Sequence, residues 1–173
     1  VTGARLNATL DDKAFMAGVA RLGGVLHVGV LSAIGTAMVE ETQKRFETGR
    51  DVWGVAWAPL SPAYAQIKRG PGILRASRML QRSITFQVSG ASVTVGSNRV
   101  YAGVHQFGAV ITPKNAPALT FLLGAGAGMK SRYMLVHAQS VRIPQRPYLG
   151  FGPNDQRAVM DVLDVFVQRS LRA

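Results

Sequence analysis

The sequence predicts a single α+β domain: a long N-terminal helix, an antiparallel β-sheet with an extended hairpin arm, and a C-terminal helix. Three observations carry that expectation. Apolar residues recur at steps of three or four from Phe15 to Met38, which is a helical period. Residues 84–95 alternate apolar and polar around a Ser-Gly-Ala-Ser turn, the pattern of a β-hairpin. Beyond Pro153 the helical period returns and runs to Leu171. The 173 residues suit one domain with a real core. They divide into a helical segment at 1–50, a connector at 51–79, a β-rich core at 80–150 with its arm at about 110–132, and a helix at 153–173.

Residues 1–8 read as a loose arm. The first helix begins near Leu10, with Thr9 or Asp11 as N-cap and acids in the first turn, where the helix dipole favours them. Phe15, Val19, Leu22, Leu26, Val30, Ile34 and Met38 form its apolar stripe, and Gly23-Gly24 marks a point where it can kink. Glu40–Lys44 and Glu41–Arg45 are i,i+4 pairs in the favourable order, and Gly49 ends the helix. Residues 22–39 contain no Asp, Glu, Lys or Arg, a length at the short end of a membrane span. His27, Ser32, Thr36 and several glycines within it favour a buried helix packed against other subunits, so no membrane partner is expected.

The connector carries Trp53, Trp57, Pro59, Pro62, Gly70, Pro71 and Gly72. It reads as extended, with one short helix capped by Ser61 and opened by Pro62. The two tryptophans suit either core or interface anchoring. Ile84, Phe86 and Val88 then share one strand face, answered by Val93-Thr-Val95 across the turn. Residues 100–107 fit one short helical turn. Residues 118–123 and 133–141 read as a second hairpin around the loop Gly124-Ala-Gly-Ala-Gly128. Pro144 and Pro147 hold the next segment extended. In the last helix Val159, Leu163, Phe166, Val167 and Leu171 make the apolar stripe, while Arg169 and Arg172 suit the final turn.

Charge is segregated. The net charge is +11, yet all nine acids lie within residues 1–51 or 155–173. Those flanks also hold nine Lys and Arg, so the whole excess belongs to residues 52–154, which contain eleven basic residues and no acid. Such a one-signed region suits nucleic acid or an acidic protein neighbour. Lys68, Arg69, Arg75, Arg78 and Arg82 are its densest run and the candidate basic contacts. The absence of cysteine excludes disulfides and cysteine-based zinc sites, and favours a reducing compartment.

Chemistry is sparse. His27, His105 and His137 stand alone in apolar surroundings, with no metal-ligand spacing and no paired carboxylate nearby. The Gly124–Gly128 loop lacks the Gly-Lys-Ser/Thr ending of a phosphate cradle and lies between strands. No serine has a nucleophile-elbow context. Neither an enzyme nor a cofactor is expected.

Two aromatic–glycine clusters remain, Tyr101-Ala-Gly-Val-His-Gln-Phe-Gly108 and Ile143-Pro-Gln-Arg-Pro-Tyr-Leu-Gly150. With Phe46-x-x-Gly49, Trp57-Ala-Pro-Leu60, Leu74, Leu80-x-x-Ser83-Ile84 and Val93-x-Val95-Gly96, their order and spacing over about residues 46–171 resemble the phage virion-morphogenesis, or tail-completion, family. The resemblance implies a non-enzymatic subunit of the head–tail junction of long-tailed, Mu-like phages: a neck, tail-completion or tail-terminator protein. It implies a homo-oligomeric, sixfold ring in the virion, assembled in the host cytoplasm beside neighbouring neck and tail proteins and around non-specifically contacted DNA.

The resemblance also gives the residues structural roles. Phe107, Tyr148 and Phe151 would pack the sheet edge against the helices. Gly108 and Gly150 would permit tight turns, and Pro144 and Pro147 would stiffen the approach to the last helix. Trp53, Trp57, Tyr101 and His105 complete the candidate interface and structural residues, and the 110–132 hairpin would reach the next ring or the tail tube. The alternative is a basic nucleic-acid-binding module built on residues 68–82.

Overall fold

A computed structural model describes residues 4–8, 28–68, 70–90, 92–124 and 133–172. The architecture is α+β, with a helix near each end and small antiparallel sheets between them. The first half of the expected N-terminal helix, with its kink and His27, lies outside the described residues. The helix itself, α1, spans Val28–Thr48. Among the described residues, no helix is long and apolar enough to cross a membrane.

The first departure from expectation is at 4–8. This stretch is no loose arm. It forms strand β1 (Ala4–Ala8), paired antiparallel with β3 (Ser92–Ser97). β3 pairs on its other side with β2 (Ile84–Ser89), so the three-stranded sheet has the order β1-β3-β2. The β2–β3 hairpin is the one that the alternation predicts. Ile84 is buried, Phe86 and Val88 are half-buried, and Thr85 and Gln87 face solvent. The segment 4–8 escapes prediction because it is short, with Leu6 its one large apolar residue, and its pairing depends on β3, nearly ninety residues later.

α1 is the middle layer. It packs against β2 and β3 and also against the C-terminal helix α5 (Pro153–Arg172). Gly35 shows how closely helix and sheet approach, because a Cβ there would run into the Phe86 ring. Val30, Met38 and Phe46 from α1, Ile84, Val93 and Val95 from the sheet, and Val159 and Leu163 from α5 join Trp57, Leu80, Ala102, Tyr148 and Leu149 in one core. Val167 belongs to the predicted stripe of α5, but it lies on the outer side and is exposed.

Two short helices and two short ladders complete the frame, with a third short helix in the connector. That connector helix, α2 (Pro62–Ile67), has the expected cap, with Tyr64 N–H donating to Ser61 Oγ at 3.4 Å. α3 (Met79–Arg82) and α4 (Ala102–Phe107) flank the hairpin. β4 (Ala109–Ile111) pairs with β7 (Val141–Ile143). Between them in sequence, β5 (Leu119–Gly124) pairs with β6 (Tyr133–Ala138), so the expected arm is a hairpin nested inside a hairpin. Thr120 Oγ1 meets His137 Nδ1 across it at 3.1 Å, which gives that histidine a structural partner.

Candidate functional site

The two aromatic–glycine clusters, forty residues apart, meet. Pro144 and Pro147 lack amide hydrogens and fix their own φ, so residues 144–152 stay extended and form no ladder. Most of the partners of their backbone groups are side chains instead. Gln106 is the clamp: its Oε1 accepts from Tyr148 N–H at 3.0 Å and Leu149 N–H at 2.9 Å, and its Nε2 donates to the Leu149 carbonyl at 2.8 Å. Arg146 N–H donates to the His105 carbonyl at 2.7 Å. Tyr148 is fully buried, and its hydroxyl donates to the Ala102 carbonyl at 3.0 Å. Burial, with a smaller contribution from Tyr101, pushes that hydroxyl above its ordinary pKa, so it stays a donor.

Three further elements are fastened to the same run. From the connector, Trp57 Nε1 donates to the Pro147 carbonyl at 2.9 Å. In return, Arg146 donates from Nε to Ala58 O at 2.8 Å and from Nη2 to Pro59 O at 2.9 Å. From α1, the Phe46 ring lies edge-on to Trp57 at 5.6 Å and tilted against Tyr148 at 5.1 Å. The third fastening is ionic. Arg45 Nη2 donates to both carboxylate oxygens of Asp155 at the start of α5, and Nη1 donates to the Tyr148 carbonyl at 3.1 Å. Asp155 also accepts from Gly152 N–H at 2.8 Å, and both charged side chains are buried. One guanidinium thus joins both long helices to the extended run. The sequence pairs Arg45 with Glu41. In the structure Arg45 turns inward, and Glu41 pairs with Lys44 at 2.5 Å.

Side chains are excluded at several points of this joint, of which Gly108 and Gly150 lie in the two clusters. Gly108 has φ of +74°, and a Cβ there would sit 2.9 Å from Gln145 N and 3.1 Å from Ile143 O. At Gly150 a Cβ would fall 2.5 Å from Val52 Cγ1. Gly108→Ala therefore combines left-handed strain with a backbone collision. We expect a loss of about 2–3 kcal/mol, read from urea unfolding midpoints, with α-helix content unchanged.

The expected aromatic positions divide. Trp57 is core. Phe107, expected to pack inside with Tyr148, is instead 69% exposed, because it lies at the last position of α4, just before the Gly108 turn. Trp53 is 70% exposed on a braced loop. Asp51 Oδ1 accepts from Trp53 N–H and Val55 N–H, both at 2.9 Å, and Arg50 Nη1 donates to Gly54 O at 2.7 Å.

The basic run does not present one face. Arg78 and Arg82 are exposed at the ends of α3. Arg75 is half-buried and reaches the Glu47 carbonyl at 3.5 Å. Lys68 turns back to the Gly70 carbonyl at 2.9 Å, and Arg69 lies outside the described residues. Lys68 and Arg146 also line a cleft of about 230 Å³ between α2, α3 and α4, with Leu60, Tyr64, Tyr101 and His105 among its walls. The Tyr101 and His105 rings meet edge-on at 6.0 Å. Burial, then the Arg146 charge, holds His105 below its ordinary pKa, so the ring is neutral at pH 7. No group of three or more potential metal ligands occurs among the described residues.

Sequence reading missed Arg45, Gln106, Arg146 and Asp155 as the polar members of the joint. Gln106 and Arg146 lie within the two clusters themselves, and Asp155 is the first-turn acid of α5. The available signal was that each is a polar residue set among core positions.

The joint thus ties α1, the connector, α4 and α5 to one extended run. The chain belongs to the phage virion morphogenesis family, whose sequence profile it matches over residues 16–168. It therefore acts in phage virion assembly. It is 23% identical to the putative capsid assembly protein G of Escherichia phage Mu, aligned over 96% of this chain and 97% of that protein. No solved structure gives a significant match.

Proposed function

We propose that the chain is a non-enzymatic structural subunit of the junction between phage head and tail, closing with its own copies into a sixfold ring. The observation that carries this reading is Trp53, 70% exposed on a loop fixed by Asp51 and Arg50. A large aromatic held rigid in solvent costs hydration free energy and loses little entropy on docking, which are the properties of an interface anchor. Phe107 and Val110 are similarly exposed just before and after the Gly108 turn. A closed ring repeats one angle at every subunit, so it needs a joint that fixes the angle between α1, α5 and the arm.

Light scattering and negative-stain images of the purified chain test this. Rings are expected, and a monomer at all concentrations contradicts the reading. Trp53→Ala is expected to change unfolding stability by no more than about 0.5 kcal/mol while weakening self-association at least tenfold.

The β5–β6 arm, with Phe121 and Leu135 partly exposed, is the segment we assign to the neighbouring neck or tail protein. Deleting residues 115–130 is expected to leave the fold and the ring intact and to abolish head–tail joining. Normal particle yields from the deletion would remove that assignment.

The second reading is a nucleic-acid-binding module, favoured by exposed Arg78 and Arg82 in a region without acids. It requires duplex DNA affinity that falls steeply with salt.

A further inference from the structure

We propose that the cleft between α2, α3 and α4 receives the acidic outer face of α5 from a second copy of the chain. The proposal rests on the ring reading and specifies one of its contacts.

The cleft is cationic and half-apolar. Lys68 and Arg146 bring the charge, the neutral His105 ring lines it with Leu60, Tyr64 and Tyr101, and no carboxylate is among its lining residues. Burial, then the nearby Arg75 charge, holds Lys68 below its ordinary pKa. His105 Nδ1 is buried with no hydrogen-bond partner among the described residues. An anion with an apolar flank would complement this lining. The volume of about 230 Å³ admits one or two side chains and excludes a duplex, which favours a carboxylate over a phosphodiester backbone.

α5 offers that chemistry. Met160, Asp161, Asp164 and Val165 fall at i, i+1, i+4 and i+5, hence on one face. All four are exposed, Met160 by 56% and Val165 by 48%. The face therefore sets two acids between two apolar side chains. The competing exposed acids, Glu40 and Glu47 on α1, have no exposed large apolar neighbour among the described residues of that helix. Asp155 is already committed to Arg45.

Among the described residues, none from α5 lines the cleft of its own subunit. The two surfaces are thus different patches, and joining them between copies gives a head-to-tail contact, the kind that closes into rings. The segregation of charge along the sequence, with acids confined to the flanks and the excess of bases to the middle, then serves one interface.

The test is a charge exchange in the full chain, read by sedimentation and negative stain. Lys68→Glu and Asp164→Lys, each alone, are expected to weaken self-association at least tenfold while circular dichroism stays unchanged. Mixing the two variants is expected to restore rings, because the carboxylate introduced in the cleft of one then faces the ammonium introduced on α5 of the other, while the remaining contacts are native. The double variant is expected to assemble alone. Asp164→Lys changes an exposed site, so it keeps the test readable if Lys68→Glu unfolds.

Single variants that assemble like the wild type overturn this contact and leave the ring reading standing. Folded variants that fail to recover on mixing also overturn it. If Lys68→Glu abolishes binding of duplex DNA at low salt without affecting assembly, the cleft serves nucleic acid and the proposal falls. A wild-type chain that is monomeric at every concentration overturns both readings.

Discussion

Replacing Arg45 with alanine is expected to destabilise the fold by about 3–5 kcal/mol, among the largest effects of any single side chain here. The reason is the company it leaves behind. Asp155 is buried at the start of α5, and without Arg45 its charge would be left with the Gly152 amide. The Tyr148 carbonyl would lose its donor in the same step. Asp155→Ala should cost a similar amount, since it strands the guanidinium instead. Replacing both by apolar residues of similar volume is expected to recover much of the loss, because desolvating two charges offsets most of their attraction. A double-mutant cycle by urea unfolding reads this directly. Two single losses that simply add would show that the pair is not coupled.

Tyr148→Ala carries the second large effect, about 3–5 kcal/mol. The side chain is fully buried between Phe46 and α4, so truncation opens a cavity where α1, the connector and the extended run meet. Tyr148→Phe separates the two parts of its role. It keeps the packing and removes the hydroxyl, leaving the Ala102 carbonyl without that donor, and should cost about 1–2 kcal/mol. Thermal and urea unfolding of both variants would check the ratio. Equal losses would mean that the hydrogen bond, not packing, dominates at this position.

How much of this was legible follows from the range of each interaction. α2 is written in Ser61 and Pro62, within three residues of the amide they serve, and the β2–β3 hairpin in an alternation around Gly90. α5 is written in its period. These are local patterns, and local energies decide them. The meeting of the two aromatic–glycine clusters was not legible, since nothing local states that Gln106 will clamp Leu149. β1 was illegible for the same reason: a five-residue segment with one large apolar side chain becomes a strand because β3 offers it an edge.

Arg45 shows the opposite failure. A favourable local pattern with Glu41 pointed to a surface ion pair worth a few tenths of a kcal/mol, on the order of 0.3–0.5. The buried carboxylate of Asp155, 110 residues away, outcompetes it. Phe107 and Trp53 illustrate the limit for interfaces. Hydrophobicity predicts burial, and their burial is supplied here by no part of the described chain. That mismatch is what makes them informative about assembly.

The ring at the head–tail junction is a proposal that imaging can decide. The most direct measurement is a cryo-electron image reconstruction of the intact particle with the subunit labelled at the exposed end of α5. Label density is expected in a closed ring at the head–tail junction, with the arm directed at the adjoining layer. Label distributed over the capsid shell or along the tail tube, or absent from finished particles, would contradict it.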